Sequence, residues 1–267
     1  MIASLPMYDL PELAAATTDW WHGLRRHMAA AGVEGLPADL VRPDDLYAHW
    51  QAADLALSQT CGYPLTHGLG GKVQLLATPR YGAPGCMGSR YRSHVVVRAD
   101  DAAARFIDLR GRRVAYNGKD SQSGYNVLRH LAAPLAAGGP FFAATVESGA
   151  HRQSLAMVRS GTADAAAIDC VTLGLLARVA PVELAGIRVL CASAEAPALP
   201  YITSLRMTAG QLAGLRRGLQ AACADPALAA TRAALLIEGF DLLPVSAYDD
   251  ILAIEAAAVS IGYANLV

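Results

Sequence analysis

The sequence of 267 residues is sparing with cysteine and with clustered charge, and each shortage removes a class of protein. Five cysteines is an odd number and too few for a disulfide scaffold, so at least one is unpaired. No Cys/His spacing resembles a zinc site, and no metal or other cofactor is expected. Acidic and basic residues nearly cancel at a formal net charge of -1, and no Lys/Arg block stands out, which argues against a nucleic-acid partner or an anionic membrane surface. Long apolar runs are also missing: Asp169, Arg178 and Glu183 interrupt the most apolar region, so no transmembrane helix is expected. There is no internal repeat and no low-complexity linker. A basic n-region, an apolar h-region and a small-residue cleavage site are not found at the start. Instead Met1 to Tyr8 reads as a first core strand running into a loop, which leaves two expectations: a leader outside this chain, or a cytoplasmic protein.

What is present is a regular alternation. The length is large for one core and comfortable for two lobes. After the first strand, Pro11 to Ala31 is helix-like, with Pro near its start and Gly32 at its end. Asp54 to Ser58 and Val73 to Ala77 read as strands. The β-branched run Ser93 to Arg98 has the strongest strand propensity in the chain and is expected to cross between lobes. Further strands are expected at Arg113 to Tyr116, Phe141 to Val146, Ala163 to Asp169 and Tyr201 to Met207. Helices are expected from Tyr125, through Arg159, and from Val171 to Ala180, and everything from Thr208 to Leu266 reads as helical. Strands alternating with helices in units of this size mean a parallel α/β sheet, whose ligands sit beyond the carboxyl ends of the strands.

The stretch from Tyr116 to Gly124 is the centre of this pattern, because it places Ser121, Ser123 and Gly124 at a strand-to-helix turn. Backbone N–H groups, hydroxyls and the positive end of a helix dipole converge at such a turn, as an anion site requires. A plain helix cap is the other reading. Two more strand ends carry polar side chains, at His151 and Asp169. His151 is also readable as a surface residue in a first helical turn, and Asp169 as an ordinary cap. Cys61 and Cys86 both lie in Gly/Pro turns, either bridged to each other or as two unpaired thiols.

Several linked motifs then occur in order: Asp108-Leu109-Arg110-Gly111-Arg112-Arg113-Val114-Ala115-Tyr116, Ser121-Gln122-Ser123-Gly124-Tyr125, Gly149-Ala150-His151 with Ser154-Leu155, and Gly161 through Asp164 to Asp169. In this the chain resembles the phosphate/phosphite/phosphonate-binding (PhnD-like) components of ABC transporters. The resemblance implies the type 2 periplasmic-binding-protein fold: an α/β protein of two lobes, mixed sheets flanked by helices, and two crossover strands forming a hinge. The lobes are expected at residues 1–93 with 196–267, and at residues 94–195. It further implies a periplasmic, non-enzymatic, monomeric protein that takes a small phosphorus oxyanion for an ABC permease.

By the same resemblance the anion is held by Ser121, Gln122, Ser123, His151 and Asp169 from lobe two. Tyr8, Gln59, Tyr63 and Tyr91 come from lobe one. Taken singly, Tyr8, Tyr63 and Tyr91 each read first as ordinary half-buried rings. The carboxylate has its own chemistry: an acceptor-only Asp169 repels a fully ionised oxyanion and accepts from one that keeps a proton, as a phosphonate or phosphite does near neutral pH. The alternatives are a cytoplasmic enzyme or sensor on the same fold acting on a small carboxylate, and a binder of sulfonates or thiamine precursors. Against catalysis, neither serine has a base near it in sequence.

Overall fold

Short apolar runs separated by amphipathic ones fold into an α/β protein, as expected. In chain order the elements are β1 (Ile2–Ala3), α1 (Ala14–Ala30), α2 (Leu46–Trp50), β2 (Leu55–Gln59), α3 (Gly62–Thr66) and β3 (Val73–Tyr81). Next come β4 (Arg90–Tyr91), β5 (Ser93–Arg98), β6 (Arg113–Tyr116), α4 (Val127–Ala132), β7 (Ala144–Glu147), α5 (His151–Ser160), β8 (Ala165–Asp169), α6 (Cys170–Val179), β9 (Ile187–Ala192) and β10 (Ala196–Pro197). The chain ends with β11 (Tyr201–Ser204), α7 (Ala209–Ala224), α8 (Ala229–Ala234), β12 (Ile237–Asp241) and α9 (Asp249–Ser260). The computed structural model describes residues 1–267. It divides them into two units, the first comprising Met1–Gly82, Met87–Ser89 and Pro197–Ala247, the second Ala83–Cys86, Arg90–Ala196 and Tyr248–Val267.

The first unit is built on a sheet of strand order β1-β2-β11-β3-β12. β1 runs parallel to β2, whereas β11 is antiparallel to β2 and β3, and β12 antiparallel to β3. Helix α1 buries Thr17, Trp20, Trp21, Leu24 and Met28, an apolar stripe at spacings of three and four. Burial of each large side chain contributes about 1.5–3 kcal/mol, more than any helix propensity in this segment. Helix α7 opens with a capping box, in which the Gln211 N–H donates to Thr208 Oγ1 and the Thr208 N–H donates to Gln211 Oε1.

The second unit has the order β7-β6-β8-β5-β9, with β6 parallel to β7 and β8 and β5 antiparallel to β8 and β9. Strand β8, Ala-Ala-Ala-Ile-Asp, is buried throughout, and its small side chains suit a central strand covered on both faces. Because β6, β7 and β8 run the same way, their carboxyl ends lie at one edge of this sheet. The short strands β4 and β10 pair with each other.

Two expectations are corrected here. Residues 237–241 form a strand, not part of a helical tail: Ile237 to Asp241 pair along β3 from Tyr81 to Thr78, a partner too distant in sequence to leave a local signal. The last residues, expected in lobe one, belong to the second unit. Ala258, Tyr263 and Leu266 enter its core beside Val95, Val114 and Leu128. Arg90 Nη2 donates to Asp250 Oδ2 at 2.7 Å, and the Leu266 N–H donates to the Tyr125 hydroxyl at 3.1 Å. By these bounds the chain passes between the units five times, the last at Ala247–Tyr248, where two crossovers were expected.

Candidate ligand-binding site

Strand β6 delivers the chain to Asn117, and the turn that follows ends at Ser121, whose backbone is still extended. Ser121 caps the next helical segment, its Oγ accepting from the Gly124 N–H at 2.9 Å. That segment, Gln122–Asn126, is a π-helical turn, closed by the Asn126 N–H donating to the Ser121 carbonyl at 3.0 Å, and it runs on into α4. Turns of this kind are wide and uncommon, and they recur at functional sites. The N–H groups of Gln122 and Ser123 precede the first helical hydrogen bond and stand at the positive end of the helical run.

Gly124 makes the turn possible. A Cβ there would stand 1.8 Å from Asn117 Oδ1, so only glycine lets the Asn117 side chain lie across the turn. Asn117 Oδ1 is buried and unpartnered.

His151, the first residue of α5, reaches Ser123 from the next strand end. Its Nε2 is 2.7 Å from Ser123 Oγ, and Ser123 Oγ is 3.5 Å from Ser121 Oγ. The loop behind it is fixed by Ser148, whose hydroxyl donates to the Tyr116 carbonyl at 3.1 Å and lies 2.7 Å from Ser154 Oγ. Part of His151 reaches the surface, but its ring is enclosed. Burial lowers its pKa to about 4, with the Ala167 carbonyl acting weakly in the opposite direction. The imidazole is therefore neutral at physiological pH.

Asp169 ends β8 and is buried at 1% exposure. Its Oδ1 accepts from the N–H groups of Val171 and Thr172 at 2.6 and 3.1 Å, so it caps α6 as the simpler of the two readings had it. Ser93 faces it across the β5–β8 register, and the Ser93 hydroxyl is buried without a partner.

The expected set thus separates. Ser121, Ser123, His151 and Asp169 stand at the carboxyl ends of three parallel strands of one sheet, and Ser123 and His151 touch. Neither serine has a base near it in sequence, but the β6–β7 pairing brings His151, expected in the same site, against Ser123. Gln122 turns inward instead: fully buried, its Oε1 accepts from Asn126 Nδ2 at 2.7 Å. Tyr91 is buried and belongs to the second unit, not the first. Asn117 and Ser93 were not foreseen. Asn117 had a signal, a polar residue directly after β6, whereas Ser93 is marked only by the register that sets it opposite Asp169.

In the first unit, Tyr8 meets Tyr81 edge-on with centroids 5.2 Å apart. Gln59 Nε2 donates to the Tyr81 hydroxyl at 2.9 Å and to the Leu199 carbonyl at 3.0 Å. Tyr8, Gln59 and Tyr81 line a small cavity with Thr17, Trp20 and Tyr201. Tyr63 stacks on His67 at 3.9 Å. No group of three or more His, Cys, Asp and Glu side chains is placed to hold a metal ion, and no helix is long and apolar enough to cross a membrane. The bridge considered between Cys61 and Cys86 is not formed: Cys61 lies in the first unit, and Cys86 in the second, beside Cys170.

The mixed α/β fold is that of the periplasmic binding proteins, to whose solved structures the chain is similar over 97–98% of its length. The sequence matches the family described as the periplasmic phosphonate substrate-binding proteins of ABC transporters over residues 12–248, and the chain belongs to that family. Its fold is similar to that of a binding-protein component of an ABC phosphonate transporter from Pseudomonas aeruginosa, with a TM-score of 0.74, 15% identity, and coverage of 97% of this chain and 87% of that one. PhnD1 from Prochlorococcus marinus in complex with methylphosphonate gives a TM-score of 0.74 at 13% identity, covering 98% of both chains. A Xanthomonas citri protein bound to ATP gives 0.71 at 16% identity, covering 97% of both. A comparison with the curated proteins gives no match.

Proposed function

We propose that the second unit binds a monoprotonated phosphorus oxyanion of the phosphonate, phosphite or phosphate class, on Ser121, Ser123, His151 and Asp169. The observation that carries this is the chain of polar groups from Ser121 Oγ through Ser123 Oγ to His151 Nε2, at 3.5 and 2.7 Å, beside the leading N–H groups of the π-helical turn. In the tautomer that carries its proton on Nε2, neutral His151 donates to Ser123 Oγ and leaves the Ser123 hydroxyl proton for an acceptor. Asp169 would then accept the one proton that the ligand retains. Methylphosphonate, the ligand of the Prochlorococcus protein, has that protonation state near neutral pH and is the first probe. Tyr8, Gln59 and Tyr63 of the first unit are proposed as ligand contacts on the family resemblance alone; Tyr91 and Gln122, both buried, are weaker members of the set.

The 2.7 Å Ser123–His151 contact also has the form of a nucleophile beside a base. A pKa near 4 makes that imidazole a poor general base at neutral pH, which favours a binding protein over an enzyme. Membership of the family supports export to the periplasm and delivery to an ABC permease.

Calorimetry with methylphosphonate, phosphite, phosphate, sulfate and acetate tests this reading. Binding confined to the phosphorus anions, weakened by about 1–3 kcal/mol in Ser123→Ala, is the expected result. Turnover of any of these ligands, or preference for sulfate or acetate, rejects it.

A further inference from the structure

Cys170 is the first residue of α6, 1% exposed, and Cys86 is a half-buried loop residue 84 positions earlier. Their sulfurs lie 3.4 Å apart. Forming a bond of about 2.05 Å needs an approach of little more than 1 Å, which rotation of the half-buried Cys86 side chain supplies. The backbone is prepared for it. Gly85 has a φ of +107°, and a Cβ at that position would stand 3.0 Å from Cys170 Cβ and 2.7 Å from His94 Nε2. Glycine is thus required twice there, for its conformation and for the space that lets the loop lie against the start of α6. The Cys170 N–H, donating to the Arg92 carbonyl at 3.2 Å, anchors the other side of the pair.

We propose that Cys86 and Cys170 are a disulfide-forming pair, with Cys86 the attacking thiol and Cys170 the resolving one. The oxidant is a small-molecule or protein disulfide, R–S–S–R. The Cys86 thiolate attacks one of its sulfurs, making a Cys86–S–S–R bond and releasing one R–S⁻. Cys170 loses its proton and attacks Cys86 Sγ, expelling the second R–S⁻. The protein gives up two electrons and two protons, and R–S–S–R becomes two R–SH. Exposure sets the order, because only Cys86 reaches solvent. The hydrogen bond to Cys86 and burial both push the Cys170 thiol pKa upward, so it attacks only across the short distance to its partner. In an exported protein the bridge would persist, and in a reducing cytoplasm the same pair would stay as thiols.

Reduced full-length protein equilibrated with reduced and oxidised glutathione, then alkylated and mapped by mass spectrometry, tests the pair. Two of the five thiols should become protected. One reductant-sensitive peptide should join residues 86 and 170, and Tm should rise by about 5–10 °C. In Cys170→Ser, glutathione should remain on Cys86 as a mixed disulfide; in Cys86→Ser, Cys170 should stay a thiol. If all five wild-type thiols remain alkylatable under oxidising glutathione, or if Cys86 bridges to any other cysteine, the proposal is wrong. The wild-type map decides this without either variant and without any ligand, so it stands apart from the proposed function.

Discussion

Ser123 Oγ and His151 Nε2 meet at 2.7 Å although 28 residues separate them, and this contact joins the first turn of α5 to the π-helical turn after β6. The enclosed imidazole has a pH signature. Its pKa is about 4 in the folded protein, lowered by burial from the ordinary value near 6.5. Between those two values the unfolded chain takes up a proton that the native protein refuses, so stability falls as pH drops from 6.5 toward 4, by on the order of 2–3 kcal/mol. Above pH 6.5 this residue adds no slope. Urea titrations at pH 7 and 4.5 should show the wild type losing more than His151→Asn; equal losses would mean that the ring is not enclosed.

The second prediction concerns Gly124 and Asn117. In Gly124→Ala the new methyl collides with Asn117, at an overpacking cost of about 1–3 kcal/mol, larger than the gain of about 1 kcal/mol in helix propensity. With Asn117→Ala in the background the side-chain clash is gone and only a tight 3.3 Å approach to the backbone nitrogen of residue 117 remains, so Gly124→Ala should become neutral or stabilising. A double-mutant cycle by thermal unfolding measures the coupling. No change of sign between the two backgrounds would place the need for glycine elsewhere.

A third prediction rests on Arg129 and Glu255. Arg129 Nη2 donates to Glu255 Oε1 at 2.7 Å and to Asn126 Oδ1 at 2.6 Å, while Nη1 donates to the Ala264 carbonyl at 2.9 Å. The guanidinium side chain is 5% exposed and the carboxylate 22%, so this pair fastens α9 to the helix behind the candidate site. Glu255→Ala leaves a nearly buried cation with two neutral partners, Asn126 and the Ala264 carbonyl, only. It should cost about 2 kcal/mol, below the 3–5 kcal/mol of a fully buried pair because Glu255 keeps some water. Arg129→Met with Glu255→Leu should be less damaging than Glu255→Ala alone. Chemical unfolding measures both, and an undiminished Glu255→Ala protein would show that α9 is held by apolar packing alone.

Much of this fold was readable because its signals are local. Strands β5 and β6 coincide with the β-branched or apolar runs that announced them, and Thr208 caps α7 where expected. Three polar strand ends, at Ser121, His151 and Asp169, were legible for the same reason. What escaped notice depends on distant partners. β12 is a strand because β3 offers an edge, and α9 joins the second unit because Arg90 and Arg129 hold its acidic residues. Cys170 was overlooked as a partner for Cys86 because it sits in an apolar strand-to-helix junction, whereas only the cysteines in Gly/Pro turns drew attention. Gln122 looked like its serine neighbours, yet the wide turn sends it inward to Asn126.

The last prediction separates two roles of Asp169. Its Oδ1 caps α6 through Val171 and Thr172, a role asparagine also performs and alanine does not. Asp169→Ala should therefore lose about 1 kcal/mol of stability or somewhat more, and Asp169→Asn much less. Selectivity should respond to charge and not to capping. A carboxylate repels a fully ionised sulfate and accepts the proton of a monoprotonated phosphonate, whereas an amide offers a donor and no charge. Asp169→Asn should therefore shift the ratio of sulfate to methylphosphonate affinity toward sulfate by about tenfold or more, equivalent to about 1.4 kcal/mol. Calorimetry at neutral pH on the wild type and both variants, beside their unfolding curves, reads the two roles independently. If the affinity ratio in Asp169→Asn equals that of the wild type, Asp169 is a helix cap only and the proposed recognition of the ligand's proton fails.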